Sequence, residues 1–310
     1  MVGAANEHTA LLERLESVLS APAPSDARAV LRLLRLHMER NARIYSYFKV
    51  VAVLGLLQSL AQALLFLYFG RLVASSASQA VGGNYASFLI TGMIAIQCLD
   101  KCLIAPFVSL SGAYWSARLE ALLMSPYSLW FFILADTLWY NALTLVNSAV
   151  ILITGLYFGA QFGLFGSPGI LILSMVLAAA AVLGLGLISA SLFSLINAKG
   201  QDEPISWTVH LVQGVVCGLY FPFTFLPKAF QVVGLLLPHT YAIDTARRVL
   251  IAHFDSSSTL PVHLWCGGDP TVVNMVVLLM QACIYVPLGI YSFNCGLKKA
   301  RRVGSLSRWT

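Results

Sequence analysis

Residues 137–198 read TLWYNALTLVNSAVILITGLYFGAQFGLFGSPGILILSMVLAAAAVLGLGLISASLFSLINA, and none of these 62 is Asp, Glu, Lys or Arg. A helix needs about 20 apolar residues to cross the hydrocarbon core of a bilayer, so the stretch holds two crossings. Residues 159–168, GAQFGLFGSP, carry three glycines and a proline and supply the turn between them. Helices apolar on every face have no side to offer water, which makes lipid the solvent. A helix that crosses lipid satisfies its backbone internally, so the expected fold is all-α.

The rest of the chain agrees. It has 310 residues, 58% hydrophobic and 10% charged, with a mean hydropathy of +0.80. Soluble domains carry about 25% charged residues. Downstream, spans are expected at residues 205–221 and 272–297. Upstream they are expected at 88–112, interrupted by Asp100 and Lys101, and at 50–70, ending in Phe66, Tyr68 and Phe69. The expected architecture is thus an integral membrane protein of six transmembrane helices.

Lys and Arg set the orientation. With the N-terminus in the cytosol, cytosolic segments hold 14 of them and outer segments 4: Arg71, Lys228, Arg247 and Arg248. Both termini are therefore expected in the cytosol, in a plasma membrane. The net charge of +6 is a topology signal and an attraction to anionic lipid, and weak evidence for nucleic acid. The first 49 residues show no apolar core with a cleavage site, so no signal peptide is expected. The six cysteines form no CxxC pair, and no metal site is expected.

Three domains follow. Residues 1–45 form a cytosolic amphipathic region, 46–297 the transmembrane domain and 298–310 a basic cytosolic tail. In the first, leucines at helical spacing over 11–19 precede a break at 21–24, and Ser25 caps a second helix. Arg28, Arg32, Arg35, Glu39 and Arg43 line one face of that helix, and Val30, Leu31, Leu34 and Met38 another. Such a helix lies in the headgroup layer, or packs on a partner protein.

Two short segments interrupt the spans. SARLEALLMSPYSLW, residues 116–130, is a leucine-rich amphipathic turn with a stop at Pro126, placed on the cytosolic side between spans 2 and 3. Residues 218–250, GLYFPFTFLPKAFQVVGLLLPHTYAIDTARRVL, are cut by Pro222, Pro227 and Pro238 into apolar pieces too short to cross. They predict a re-entrant element between spans 5 and 6, with 240–250 a short helix at the outer interface.

Taken together, YWSARLEALLMSP (114–126), YFGAQFG (157–163), GLGL (184–187), KGQDEP (199–204), GLYFPFTFLP (218–227) and PHTYAIDTAR (238–247) resemble the permease subunit of ABC-2 type exporters in order and spacing from residue 43 onward. One departure is that Ala117-Arg118 stands where the family often has Gly-Thr. The resemblance implies that Arg118, Leu119, Glu120, Leu122 and Leu123 form a coupling helix docking on a separate ATPase subunit, which binds ATP and Mg. It implies a second permease copy or paralogue as partner, and an outer gate around Phe221, Pro222, Pro227, Pro238 and Arg247. Leu119, Leu122 and Leu123 are expected to offer an apolar ridge to the ATPase, and Arg118 and Glu120 charges to its rim.

No GxxxxGK[ST] phosphate cradle, HExxH or nucleophile motif occurs, so the chain itself is expected neither to hydrolyse ATP nor to bind a cofactor. GLGL reads as small residues for close helix packing. Few charges line the spans, which favours a lipophilic or amphiphilic substrate such as a drug, a lipid or a glycan-lipid. The intramembrane charges Asp100, Lys101 and Asp136 leave two readings open. Lys101 and Asp136 fall at similar depth on adjacent spans, which predicts an ion pair. Alternatively these are pathway residues, and a proton-coupled secondary transporter would use Asp100 or Asp136.

Overall fold

The computed structural model describes residues 27–81, 84–124, 129–163, 167–195, 204–251, 254 and 260–303, and every regular element among them is helical. The leucine helix over 11–19, its break, the Ser25 cap, the Pro126 stop, most of KGQDEP and residues 304–310 lie outside the described residues. The helices are α1 (Ala27–Tyr47), α2 (Lys49–Val81), α3 (Tyr85–Trp115), α4 (Leu119–Met124), α5 (Leu129–Tyr157), α6 (Pro168–Leu195) and α7 (Pro204–Val216). After a 3-10 turn at Phe223–Phe225 come α8 (Lys228–Leu236), α9 (Pro238–Leu250), α10 (Pro261–Cys266) and α11 (Pro270–Val303).

Five of these are long and apolar enough to cross a membrane: Lys49–Tyr68, Tyr85–Trp115, Leu129–Tyr157, Pro168–Leu192 and Pro270–Arg302. The protein is an all-α membrane protein. The expected fifth span at 205–221 is the exception, because α7 has 13 residues. At about 1.5 Å per residue it rises roughly 20 Å, against a hydrocarbon core of about 30 Å. Pro204 opens it, and Gly218 with φ +72° turns the chain just after it ends. Six expected spans therefore become five full-length helices and one short one among the described residues.

The most buried of the five is α3, which packs against α2, α5, α6 and α9. Burial on all sides explains its continuous apolar sequence. α6 and α11 make the most extensive pairing. At their crossing a Cβ on Gly184 would stand 2.5 Å from the Tyr285 carbonyl oxygen, and one on Gly289 would run into the Gly184 carbonyl. A Cβ on Gly186 would stand 2.5 Å from the Leu103 carbonyl oxygen of α3. GLGL thus brings α6 into backbone contact with two neighbours, the packing role read from the sequence. The basic residues Lys298, Lys299, Arg301 and Arg302 continue α11 without a break.

Candidate functional site

The end of α3 is a Schellman turn. The Arg118 N–H donates to the Ala113 carbonyl at 2.9 Å and the Ala117 N–H to the Tyr114 carbonyl at 3.0 Å. Ala117 takes the left-handed position with φ +56°, where glycine is the usual residue. The turn throws the chain directly into α4, Leu119–Met124.

The leucines of α4 face the bundle. Leu119 is 1% exposed in a cluster with Phe107, Leu110, Ile133 and Phe293, and Leu122 and Leu123 pack against that cluster. The expected ridge for a partner is therefore turned inward, since these leucines cover the ends of α3, α5 and α11. What α4 presents outward is Glu120, Ala121 and Met124, the last 72% exposed, with Arg118 exposed just before it.

Asp136 does not meet Lys101; among the described residues no ion pair joins them. Its Oδ1 lies 2.6 Å from His37 Nε2 and accepts from Asn41 Nδ2 at 3.0 Å. Both partners come from α1, so the carboxylate ties the amphipathic helix to α5. His37 is 7% exposed and its ring also meets Phe132, at 6.1 Å between centroids. Sequence reading missed His37 and Asn41. The signal was there, in two polar residues one turn apart on α1, away from its run of arginines.

Asp100 and Lys101 open onto a cavity of about 810 Å³, lined from α1, α2, α3, α5, α7 and the turn after α7. Asp100 Oδ2 lies 3.2 Å from His210 Nδ1 of α7, and Gln213 Nε2 donates to Asp100 Oδ1. Gln58, Gln62, Gln97 and Asn147 add carboxamides, with Gln97 Nε2 3.5 Å from Gln62 Oε1. The Oε1 atoms of Gln97 and Gln213 are buried with no protein donor. A cavity of this size has room for water or a ligand. The carboxamides were legible only one by one, since they come from helices far apart in sequence.

At the other end of α3 the proline-cut segment folds as separate short helices. Pro222 precedes the 3-10 turn, Pro227 caps α8 and Pro238 opens α9. Phe221 is 46% exposed. The helix expected at an interface over 240–250 is instead buried: in α9 all residues from Pro238 through Arg247, and Val249, are out of solvent. Most of its polar groups are satisfied, His239 excepted, whose two ring nitrogens are buried without a hydrogen-bond partner among the described residues. The Arg247 guanidinium donates to the carbonyls of Gly218 (2.8 Å), Leu219 (2.9 Å) and Phe88 (3.3 Å), and lies 3.3 Å from the Phe88 ring centroid. It thereby caps the last turn after α7, where the helix dipole favours a cation. Asp244 accepts from Arg248 at 2.8 Å and from Asn274 at 2.7 Å, and Asn274 Oδ1 lies 2.7 Å from His263 Nε2.

The described residues hold no cluster of three or more His, Cys, Asp or Glu able to take a metal ion. No family model matches the chain. Nodulation protein J of Rhizobium leguminosarum bv. trifolii is 25% identical to it over 215 residues, which covers 68% of this chain and 79% of that protein.

Proposed function

We propose that this chain is the membrane permease subunit of an ABC-2 type exporter, moving a lipophilic or amphiphilic substrate outward across the plasma membrane. The observation that carries the reading is α4, a six-residue helix hung on the α3–α5 hairpin by a fixed turn. Its apolar side is anchored in the bundle and its polar side is free. Such a helix converts a push from outside the membrane into movement of two spans. The distant likeness to Nodulation protein J and the order of the family's motifs support the same reading.

In this reading both termini are cytosolic and Arg118, Glu120 and Met124 meet a separate ATPase subunit that holds ATP and Mg. A second permease copy or paralogue completes the pathway, the 810 Å³ cavity contributes to the substrate route, and the prolines and Arg247 around α8 and α9 shape the outer gate. A proton-coupled carrier is the second reading, and the Asp100–His210 contact on the cavity is what favours it.

The experiment is affinity purification from the native membrane with Glu120→Cys and Met124→Cys as crosslinking sites. Retention of an ATPase subunit crosslinked at these positions, with no nucleotide turnover by the lone chain, is the expected result. ATP-independent uptake driven by a proton gradient into vesicles holding the lone chain would overturn it in favour of the second reading.

A further inference from the structure

Beside α4 lies a second, smaller cavity, about 40 Å³, lined among others by His37, Arg40, Arg118, Leu122, Phe132 and Asp136. Two guanidinium groups line it, Arg40 from α1 and Arg118 from the turn before α4. Both are oriented by neutral acceptors: Arg40 Nη2 donates to Asn41 Oδ1 at 2.9 Å, and Arg118 Nε to Ser116 Oγ at 2.8 Å. Among the described residues neither arginine has a carboxylate within ion-pair distance. The cavity's one carboxylate, Asp136, is engaged by His37 and Asn41. Partial burial, and then the Arg118 charge, hold the Arg40 pKa below its ordinary value, with Asp136 opposing. Two cations against one anion leave a net positive cavity.

We propose that this cleft between α1 and α4 binds a phosphate oxyanion, that of a lipid headgroup, on Arg40 and Arg118. The size fits: a water needs about 10–15 Å³ of such space, so the cavity takes roughly three waters or one tetrahedral oxyanion. The chemistry fits as well, because guanidinium forks match phosphate oxygens. The lipid source follows from α1, whose Leu31, Leu36 and Ile44 are 64%, 54% and 49% exposed. An amphipathic helix with those side chains free sits in the acyl–headgroup boundary, which places Arg40 among lipid phosphates. A bound lipid would bridge α1 to the first residue before α4. The inference rests on the membrane reading and needs no ATPase partner.

The test uses the full chain alone in phosphatidylcholine nanodiscs doped with phosphatidylglycerol or with a galactosyl diacylglycerol, which has no phosphate. Retained lipid is read by native mass spectrometry. Wild type is expected to retain phosphatidylglycerol and not the galactolipid. At about 1.5 kcal/mol for a lost charge-assisted hydrogen bond, Arg40→Gln and Arg118→Gln should each lower retention roughly tenfold. Arg43→Gln, on the same helix but off the cavity, should not. Arg40→Lys, which keeps the charge and loses the fork, should fall between. Equal loss in Arg43→Gln would reduce the effect to diffuse surface attraction and overturn the site. Unchanged retention in both cavity variants would assign the arginines to another partner, such as an acidic surface of a docked protein. Stabilisation of detergent-solubilised protein by inorganic phosphate as strong as by phosphatidylglycerol would overturn the lipid source.

Discussion

Ala117 is the residue at which the chain departs from the motif it resembles, and the structure gives that departure a physical cost. A left-handed residue with a Cβ is about 1 kcal/mol less favourable than glycine. Ala117→Gly should therefore raise the thermal midpoint in detergent, by a shift corresponding to about 1 kcal/mol or slightly less once the freer unfolded chain is counted. No shift, or a fall, would mean that the turn is held by α4 rather than by its own backbone. The position was legible only through the resemblance, because nothing in SARLE announces a positive φ. Arg247 is the converse case. It was counted as an outer-face charge, yet it is 4% exposed and satisfies three carbonyls. Arg247→Met should cost about 3 kcal/mol, since it strands those acceptors, and Arg247→Lys should recover only part because one ammonium lacks the span of the fork. Thermal unfolding of the three proteins side by side measures this.

Among the elements, α4 was read correctly as a short helix and wrongly as a ridge facing outward. Periodicity gives the spacing of Leu119, Leu122 and Leu123 but not which body they face. The inward packing separates two kinds of variant. Leu119→Ala should destabilise the hairpin by about 2–4 kcal/mol, as large-to-small changes in a core do. Glu120→Arg should leave melting unchanged and weaken any crosslink to a docked ATPase. If Glu120→Arg melts as early as Leu119→Ala, the outward face is not free. The tie between α1 and α5 was illegible for a different reason: His37 and Asp136 are 99 positions apart and join two elements whose sequence patterns are independent. A double-mutant cycle of His37→Ala and Asp136→Ala should show a coupling of about 1 kcal/mol or more. The exchange Lys101→Asp with Asp136→Lys should recover nothing, since the two side chains do not meet.

On the scale of the molecule, apolar runs located all five long helices, and the sixth was over-extended because residues 217–221 are as apolar as the helix before them. Hydropathy cannot tell a helix from an apolar turn, whereas Gly218 at positive φ can. The intramembrane charges were legible as exceptional, but the cavity that explains Asp100 and Lys101 was not, for it is assembled from five helices and a turn. The lining makes a labelling pattern predictable. Gln62→Cys and Asn147→Cys should react with a small polar maleimide in reconstituted vesicles, while Leu145→Cys, on the outer face of α5 at 64% exposure and off the cavity, should not. Equal reactivity at all three would remove the distinction between a wet cavity and the lipid surface.

The central helix α3 has one further property. It carries Gly92, whose missing side chain makes room for the Arg247 guanidinium, then Asp100 and Lys101, then the turn into α4. The end of the helix beside α4 lies about 35–40 Å along the axis from Phe88 and Gly92, where Arg247 meets it. Pro106 sits on that helix between α4 and the two charges, and its ring denies the Cys102 carbonyl its helical donor. One rung of the ladder is thus missing between the two charges and α4, so a bend of this helix costs least there.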